Sequence, residues 1–266
     1  MKRLLYPLLL FSLVLTACKS RKERMQQVWF FNVADFPEDG NAKPGMEDGT
    51  NHMILGPESF LNLQPDGFYT SYFGHFDEGK WVLNGDSLVL SSINAFPQTF
   101  HVRYVGKQMK LYYPLRGAQY TFDAYAKSPD NRAENPFSRE NNRWRIPPPE
   151  QETDMQISNR LINHFHFWET YFSWGMKNNV STLQVNDMDS PLQIYGNGFE
   201  LVPFDKEPYD WKTHFFDEQD AHTAYNQLHA LMRTHINWPK TDNRFEMFAS
   251  VFKQMQQLML QDDIRQ

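Results

Sequence analysis

The chain is poor in cysteine. Cys18 is the only cysteine among its 266 residues, so the chain cannot form an internal disulfide or supply the grouped thiolates of a metal site. Aromatic residues, by contrast, make up 15% of the chain, and each aromatic side chain buries about 150 to 250 Å² when it packs. We therefore expect stability to come from an aromatic core rather than from cross-links.

The chain also lacks a basic excess and the common motifs of catalysis. Its formal net charge is −6, which argues against a nucleic-acid partner because such proteins present a basic face. Gly-x-Ser-x-Gly, His-Glu-x-x-His and glycine-rich phosphate loops are absent. His164 and His166 point to opposite sides of a helix, and His222 and His229 lie about 10 Å apart along another. We predict no enzyme activity, no metal site and no cofactor.

Long apolar runs are rare, and the one that stands out lies at the N-terminus. Lys2 and Arg3 precede an apolar run from Leu4 to Leu15, which is shorter than the roughly 20 residues that a membrane-spanning helix needs. A basic start, a short apolar run and small residues before a cleavage point are typical of a secretory signal. Residues 1–17 are therefore predicted to be a signal peptide.

The end of this segment resembles a bacterial lipobox. Leu15-Thr16-Ala17-Cys18 matches its pattern of leucine, two small residues and cysteine. The resemblance implies that Cys18 becomes the first mature residue, carries acyl chains such as palmitate, and begins a lipidated tether over residues 18–24. Several acyl chains hold a protein firmly, since each buried methylene contributes about 0.8 kcal/mol. The alternative is an ordinary signal peptide with an unmodified Cys18.

Residues 25–127 are rich in β-strand signals. Short runs of β-branched and aromatic residues alternate with turns such as Pro65-Asp66-Gly67 and Asn84-Gly85-Asp86, which is typical of an antiparallel meander. About eight strands in series are predicted to close into a small barrel, because open sheet edges invite aggregation. One long loop, from Ala34 to Pro57, interrupts the series. The strands are predicted over residues 28–33, 60–63, 68–73, 80–83, 87–90, 100–105, 109–113 and 119–126.

The ordered motifs of this half carry a family resemblance. Trp29 in the first strand, the hairpin from Phe60 to Phe73, and the run Gly79-Lys80-Trp81 continuing to Leu90 resemble the lipocalin-like domain common in lipoproteins of Bacteroidota. The resemblance implies a calyx that holds a small apolar ligand, and it provides no catalytic residues. Six aromatic residues are candidates to line the cavity, with plain core packing as the alternative for each: Trp29, Phe68, Tyr72, Trp81, Tyr104 and Tyr112.

The second half is predicted to be mainly helical. Residues 128–152 contain five prolines and form a linker or strap. Thr153-x-x-Gln156 has the spacing of a capping box, Asp217 and Thr241 are candidate caps of two further helices, and residues 192–204 read as a β-hairpin. Three apolar stripes at helical spacing predict mutual burial. They are Leu161, Phe165, Trp168 and Phe172; Ala221, Tyr225, Leu228, Met232 and His235; and Phe245, Phe248, Phe252, Met255 and Met259.

The predicted fold class is therefore α+β. An antiparallel lipocalin-like β-barrel of about eight strands, over residues 25–127, is followed by a Pro-rich linker over residues 128–152. The helical region, over residues 153–262 with its hairpin at 192–204, either forms a separate domain or packs on the outer wall of the barrel. The Pro-rich segment favours a separate domain.

The predicted function is that of a noncatalytic cell-envelope lipoprotein, bound to the membrane through Cys18, whose barrel binds a small hydrophobic ligand. One alternative is a structural module with a filled barrel, whose helical domain docks another envelope protein. Another is an envelope hydrolase whose carboxylates only the fold brings together. An open apolar cavity would favour ligand binding, and two converging carboxylates would favour the hydrolase. Lys19 follows the cysteine where an inner-membrane retention signal would have Asp, so we expect the outer membrane, facing the periplasm.

Overall fold

The computed structural model of the protein describes most of the chain. Cys18, the predicted signal peptide, most of the predicted long loop and the turn of the second-half hairpin lie outside the described residues. The structure describes residues 20–35, 52–53, 59–73, 75–114, 118–126, 132–178, 192–195, 200–203, 207, 210–234 and 237–263.

The first half is a closed antiparallel barrel of eight strands. Neighbouring strands pair in chain order, and the last pairs back with the first. A short strand, β2, pairs only with the end of β1. Together with the helices that follow, the barrel confirms the predicted α+β fold. The strands are β1 (Val28–Asp35), β2 (His52–Met53), β3 (Phe60–Leu63), β4 (Phe68–Tyr72), β5 (Phe76–Asn84), β6 (Ser87–Ser92), β7 (Gln98–Val105), β8 (Gln108–Tyr113) and β9 (Ala118–Ala126).

Glycines form the tight turns between these strands. Gly67 has a φ of +86° and Gly85 a φ of +58°, a conformation that strains any residue with a Cβ atom. Both lie in the turns that the sequence predicts between β3 and β4 and between β5 and β6. The turn residues therefore set the hairpin connections locally.

A short helix, α1 (Arg21–Met25), closes one end of the barrel. The Arg24 guanidinium donates a hydrogen bond to the carbonyl of Gly106, in the turn between β7 and β8, at 2.8 Å. The Met25 side chain is fully buried, and its carbonyl accepts a hydrogen bond from the indole of Trp29 at 3.0 Å. These contacts fix α1 against the base of the barrel.

Three longer helices and a β-hairpin make up the second half. Two long helices, α2 (Asp154–Lys177) and α4 (Arg244–Asp263), approach closely where α2 carries Gly175, since a Cβ atom there would lie 2.9 Å from the ring of Phe245. None of the helices in the described part of the chain is long and apolar enough to cross a membrane. The elements are α2 (Asp154–Lys177), β10 (Leu192–Tyr195), β11 (Glu200–Pro203), α3 (Glu218–Thr234) and α4 (Arg244–Asp263).

Side chains cap all three of these helices. Thr153 and Gln156 form the predicted capping box at the start of α2, and Asp217 accepts the backbone N–H of Asp220 at the start of α3. At the start of α4 the cap is Asn243, whose side chain accepts two backbone N–H groups. The predicted cap, Thr241, instead bonds the backbone N–H of Asn243. An asparagine caps as well as a threonine, so local preference did not separate the two positions.

The helical half packs on the outer wall of the barrel, and Phe137 is one of the residues that join them. Its ring is fully buried, 5.0 Å from the ring of Phe60 on β3 and 5.6 Å from that of Phe30 on β1. On its other side it lies 4.8 Å from the ring of Trp174 on α2. One hydrophobic cluster thus contains side chains of both halves.

Phe137 belongs to a strap, residues 132–146, that lies between the barrel and α2. The strap is held by its own asparagines. Asn142 donates to the carbonyls of Pro136 and Ser138 at 2.8 and 2.7 Å, and Asn141 donates to the carbonyl of Asn135 at 2.8 Å. Buried backbone carbonyls need such partners. This part of the predicted linker is therefore built into the core.

Arg145, at the end of the strap, is a buried cation that contacts both halves. Its guanidinium lies 4.1 Å from the rings of Tyr72 on β4 and Phe167 on α2, and 4.6 Å from that of Trp144. It also hydrogen-bonds the side chain of Asn142. Cation–π contacts gain strength when they are desolvated, so this cluster helps to fix the helices on the barrel wall.

Candidate ligand-binding cavity

The two ends of the barrel interior differ. At the end that α1 closes, large side chains pack together in the interior. Trp29 and Trp81 are at most 2% exposed, and Leu88 and Met109 are fully buried. These residues belong to one hydrophobic cluster, which fills the base.

The other half of the barrel encloses a cavity of about 600 Å³ that opens at the mouth. Phe31, Phe73 and Phe122 form an edge-to-face cluster in its wall, with ring centroids 5.7 to 6.0 Å apart. Small-molecule sites typically measure about 300 to 1,000 Å³ and have mostly apolar walls. The cavity has the size and the wall chemistry of such a site.

Asp77 on β5 is the polar centre of this cavity. Its carboxylate accepts a hydrogen bond from the Tyr69 hydroxyl at 2.7 Å and another from the Ser92 hydroxyl at 2.6 Å. Ser92 in turn accepts the backbone N–H of Asn94 at 2.9 Å. Three neighbouring strands, β4, β5 and β6, contribute these groups, so the barrel itself positions them.

Tyr69 acts in this network as a permanent donor. Burial raises the pKa of its hydroxyl far above the usual range for tyrosine, and the hydrogen bond to the Asp77 carboxylate raises it further. The phenol therefore stays protonated at any physiological pH. Asp77 consequently keeps a neutral donor on one of its oxygens.

An apolar side chain of the loop between β6 and β7 stands at the mouth. Phe96 lines the cavity edge and is 92% exposed, whereas Ile93, which is 64% exposed, lies on the outside of the barrel. Asn94, between them, is tied through Ser92 to Asp77. The lip of the cavity is thus connected to its polar centre.

None of the six aromatic residues predicted from the sequence lines this cavity. Trp29 and Trp81 are buried in the filled base, and Tyr104 packs beneath Arg24, whose guanidinium lies 4.3 Å from its ring. The remaining three lie outside the barrel, where Phe68 and Tyr112 are exposed and Tyr72 packs under the helices.

The prediction selected aromatic residues without considering which face of a strand each occupies, so it missed the residues that form the cavity. On β4 the inward positions are 69 and 71, and Phe73 follows on the same face, whereas Phe68 and Tyr72 point outward. A clue was present on β5. Asp77 lies four residues before Trp81 and shares its face of the strand, so an inward Trp81 implies an inward Asp77.

The cavity contains one carboxylate among its described lining residues, that of Asp77. The pair of carboxylates that a hydrolase of the predicted kind would need is not found there. Likewise, no cluster of three or more His, Cys, Asp or Glu residues that could hold a metal ion occurs within the described ranges.

A second concavity, of about 690 Å³, lies outside the barrel between the strap and the outward faces of β4 and β5. Arg139 of the strap forms an ion pair there with Glu78 at 3.1 Å, and burial raises the pKa of Glu78. This concavity is more open to solvent, and five charged side chains line it, namely Asp66, Glu78, Lys80, Arg139 and Glu140. It suits an apolar molecule less well than the interior cavity.

Fold and site together define a lipocalin-like barrel with an open interior cavity and a helical layer on its outer wall. Comparisons of the chain with protein-family models, with curated protein sequences and with solved structures find no match.

Proposed function

We propose that this protein is a lipid-anchored binding protein of the bacterial cell envelope, which holds a small hydrophobic ligand inside its barrel. The observation that carries the proposal is the cavity of about 600 Å³ with its aromatic walls. A structural module with a filled barrel would leave no such space. Burial of apolar ligand surface stabilises the complex by roughly 25 cal/mol per Å² before the costs of association.

The position of the predicted anchor is compatible with ligand entry. Ser20 caps α1 at the closed base of the barrel, and two residues of chain from Ser20 to Cys18 span at most about 7 Å. Acyl chains on Cys18 would therefore enter the membrane next to the base. The mouth lies at the opposite end, roughly 20 Å away along the tilted strands, and would face away from that membrane.

Ligand binding can be tested with a neutral apolar fluorophore, N-phenyl-1-naphthylamine, and the mature chain from residue 18 carrying Cys18→Ser, which needs no detergent. Ser71→Phe places a ring in the cavity from β4, and Ala95→Trp places one at its rim. Each should weaken binding by at least about tenfold. Val82→Phe, at an exposed outward position on β5, is the matched control and should bind as the parent does. Unaltered binding in both blocked variants would refute the cavity as the site.

The anchor is tested separately by metabolic labelling with radioactive palmitate in a bacterial host. The wild-type chain should incorporate label and fractionate with membranes, whereas Cys18→Ala should do neither. Identical behaviour of the two proteins would rule out lipidation, and it would leave the result with the fluorophore unaffected.

A further inference from the structure

The described lining of the cavity carries a negative charge and no lysine or arginine to balance it. Among its described lining residues there is no lysine or arginine, and the one imidazole, His75, is at the exposed rim. Asp77 supplies the one described carboxylate to a space whose walls combine aromatic and aliphatic side chains with neutral polar groups such as Ser71 and Gln98. A ligand in this space therefore meets negative charge at one point and uncharged surface, much of it apolar, elsewhere.

The hydrogen bonds of Asp77 leave part of its acceptor capacity unused. A carboxylate can accept about four hydrogen bonds, and the described structure gives Asp77 two, from the hydroxyls of Tyr69 and Ser92. Both donors are neutral, and no ion pair involves Asp77 in the part of the chain that the structure describes. A partly buried carboxylate is most stable next to a compensating positive charge.

We infer that the ligand is a cationic amphiphile, whose protonated amine pairs with Asp77 and whose apolar body lies against the aromatic walls. This inference rests on the proposed function, since it assigns the ligand class of the same cavity. A charge-assisted hydrogen bond is roughly twice as strong as a neutral one, and a cation beside aromatic faces gains further attraction. An anionic amphiphile of the same size meets repulsion from Asp77 instead.

A neutral alcohol fits this site less well than an amine. Tyr69 and Ser92 already supply neutral donors to the carboxylate, so another hydroxyl adds a hydrogen bond and no charge. The amine adds both. The expected order of affinity is therefore amine, then alcohol, then carboxylate, at a constant length of the apolar chain.

The test measures displacement of N-phenyl-1-naphthylamine by decylamine, 1-decanol and decanoate at pH 7.5, below micelle-forming concentrations. The mature Cys18→Ser chain should bind decylamine about tenfold or more tightly than decanol, and decanoate most weakly. Asp77→Asn keeps the shape of the side chain and removes its charge. In that variant the affinity for decylamine should fall to that for decanol, and the affinity for decanoate should rise.

Two further variants control this comparison. Asp66→Asn removes a carboxylate from the exposed turn between β3 and β4, outside the cavity, and should leave the preference unchanged. Tyr69→Phe removes a donor and keeps the charge of Asp77, so the preference for the amine should persist. Displacement of the fluorophore by all three compounds with equal affinity, or an unchanged amine preference in Asp77→Asn, would overturn the inference. Failure of the parent chain to bind the fluorophore at all would instead overturn the proposed function.

Discussion

Replacement of Phe137 by alanine tests whether the two halves of the protein share one core. The ring lies between β1 and β3 on one side and α2 on the other, with Phe60 at 5.0 Å and Trp174 at 4.8 Å. The strap that carries it is fixed by buried hydrogen bonds, including one from Thr70 on β4 to the carbonyl of Phe137 at 2.5 Å. The space left by the ring therefore has little room to collapse.

The expected cost follows from this geometry. Phe→Ala substitutions in protein cores cost about 3 to 5 kcal/mol, and sites that cannot relax lie toward the upper end. A chain of this size loses about 2 to 4 °C in Tm for each kcal/mol, so we expect Phe137→Ala to lower Tm by roughly 6 to 20 °C. The matched control is Phe96→Ala, because Phe96 is 92% exposed and its loss should change stability by less than about 0.5 kcal/mol.

Urea unfolding monitored by circular dichroism measures the free energy of unfolding of each variant. Hydrogen exchange detected by mass spectrometry shows which elements are destabilised. Phe137→Ala should lower the protection of α2 and of β3 together, since both pack on the missing ring. If Phe137→Ala lowers the free energy of unfolding by less than about 1 kcal/mol, or if only one of α2 and β3 loses protection, then Phe137 does not connect the cores of the barrel and the helices.

Two further predictions concern a close backbone approach and a titrating pair. Gly79→Ala would place a Cβ atom 2.0 Å from the carbonyl oxygen of Ser91 on β6, so it should lower the free energy of unfolding in urea by about 1 to 3 kcal/mol; a loss below about 0.5 kcal/mol would contradict this. His166 Nδ1 and Glu169 Oε2 lie 3.8 Å apart, and the two groups have opposite pKa shifts. The neighbouring Glu169 carboxylate raises the pKa of His166 above 6.5. Although burial acts in the other direction, His166 and the hydrogen bond from Gln256 lower the pKa of Glu169 below 4.5. Stability from the raised histidine is complete below pH 6.5 and is lost as pH rises through its pKa, while that from the lowered carboxyl is complete above pH 4.5 and is lost on acidification. His166→Gln should therefore lower the free energy of unfolding most between pH 4.5 and 6.5, by up to about 1 kcal/mol for a partly exposed pair. An equal loss at pH 5.5 and 8.5 would refute the pairing.

The strands, turns and helix faces could be predicted because the information for them is local. Turns such as Pro65-Asp66-Gly67 are defined by residues that accept their backbone angles, and the positive φ of Gly67 confirms this. The stripe of Phe245, Phe248 and Phe252 is buried as its spacing predicts. Such patterns depend on neighbours within one or two turns of chain.

The lining of the cavity could not be predicted in the same way, because both faces of β3 and β4 are covered. Leu61 points into the barrel, whereas Phe60 beside it packs under Phe137. Where the outer face is apolar too, the alternation that separates inside from outside disappears, and a shift by one residue exchanges the faces. Tyr72, one of the predicted cavity residues, lies on the outer face of β4 and packs under the helices.

Local patterns in the chain are enough to predict most strands, the three long helices and their turns, and to predict an aromatic core without disulfides. The packing of the helices on one wall of the barrel, the filled base and the open mouth depend instead on contacts between distant parts of the chain. Only the tertiary structure brings Tyr69, Asp77 and Ser92 together, because their contacts join three strands. Local preferences act on neighbours in the chain, whereas closure of the barrel and packing of Phe137 against it depend on residues far apart in sequence.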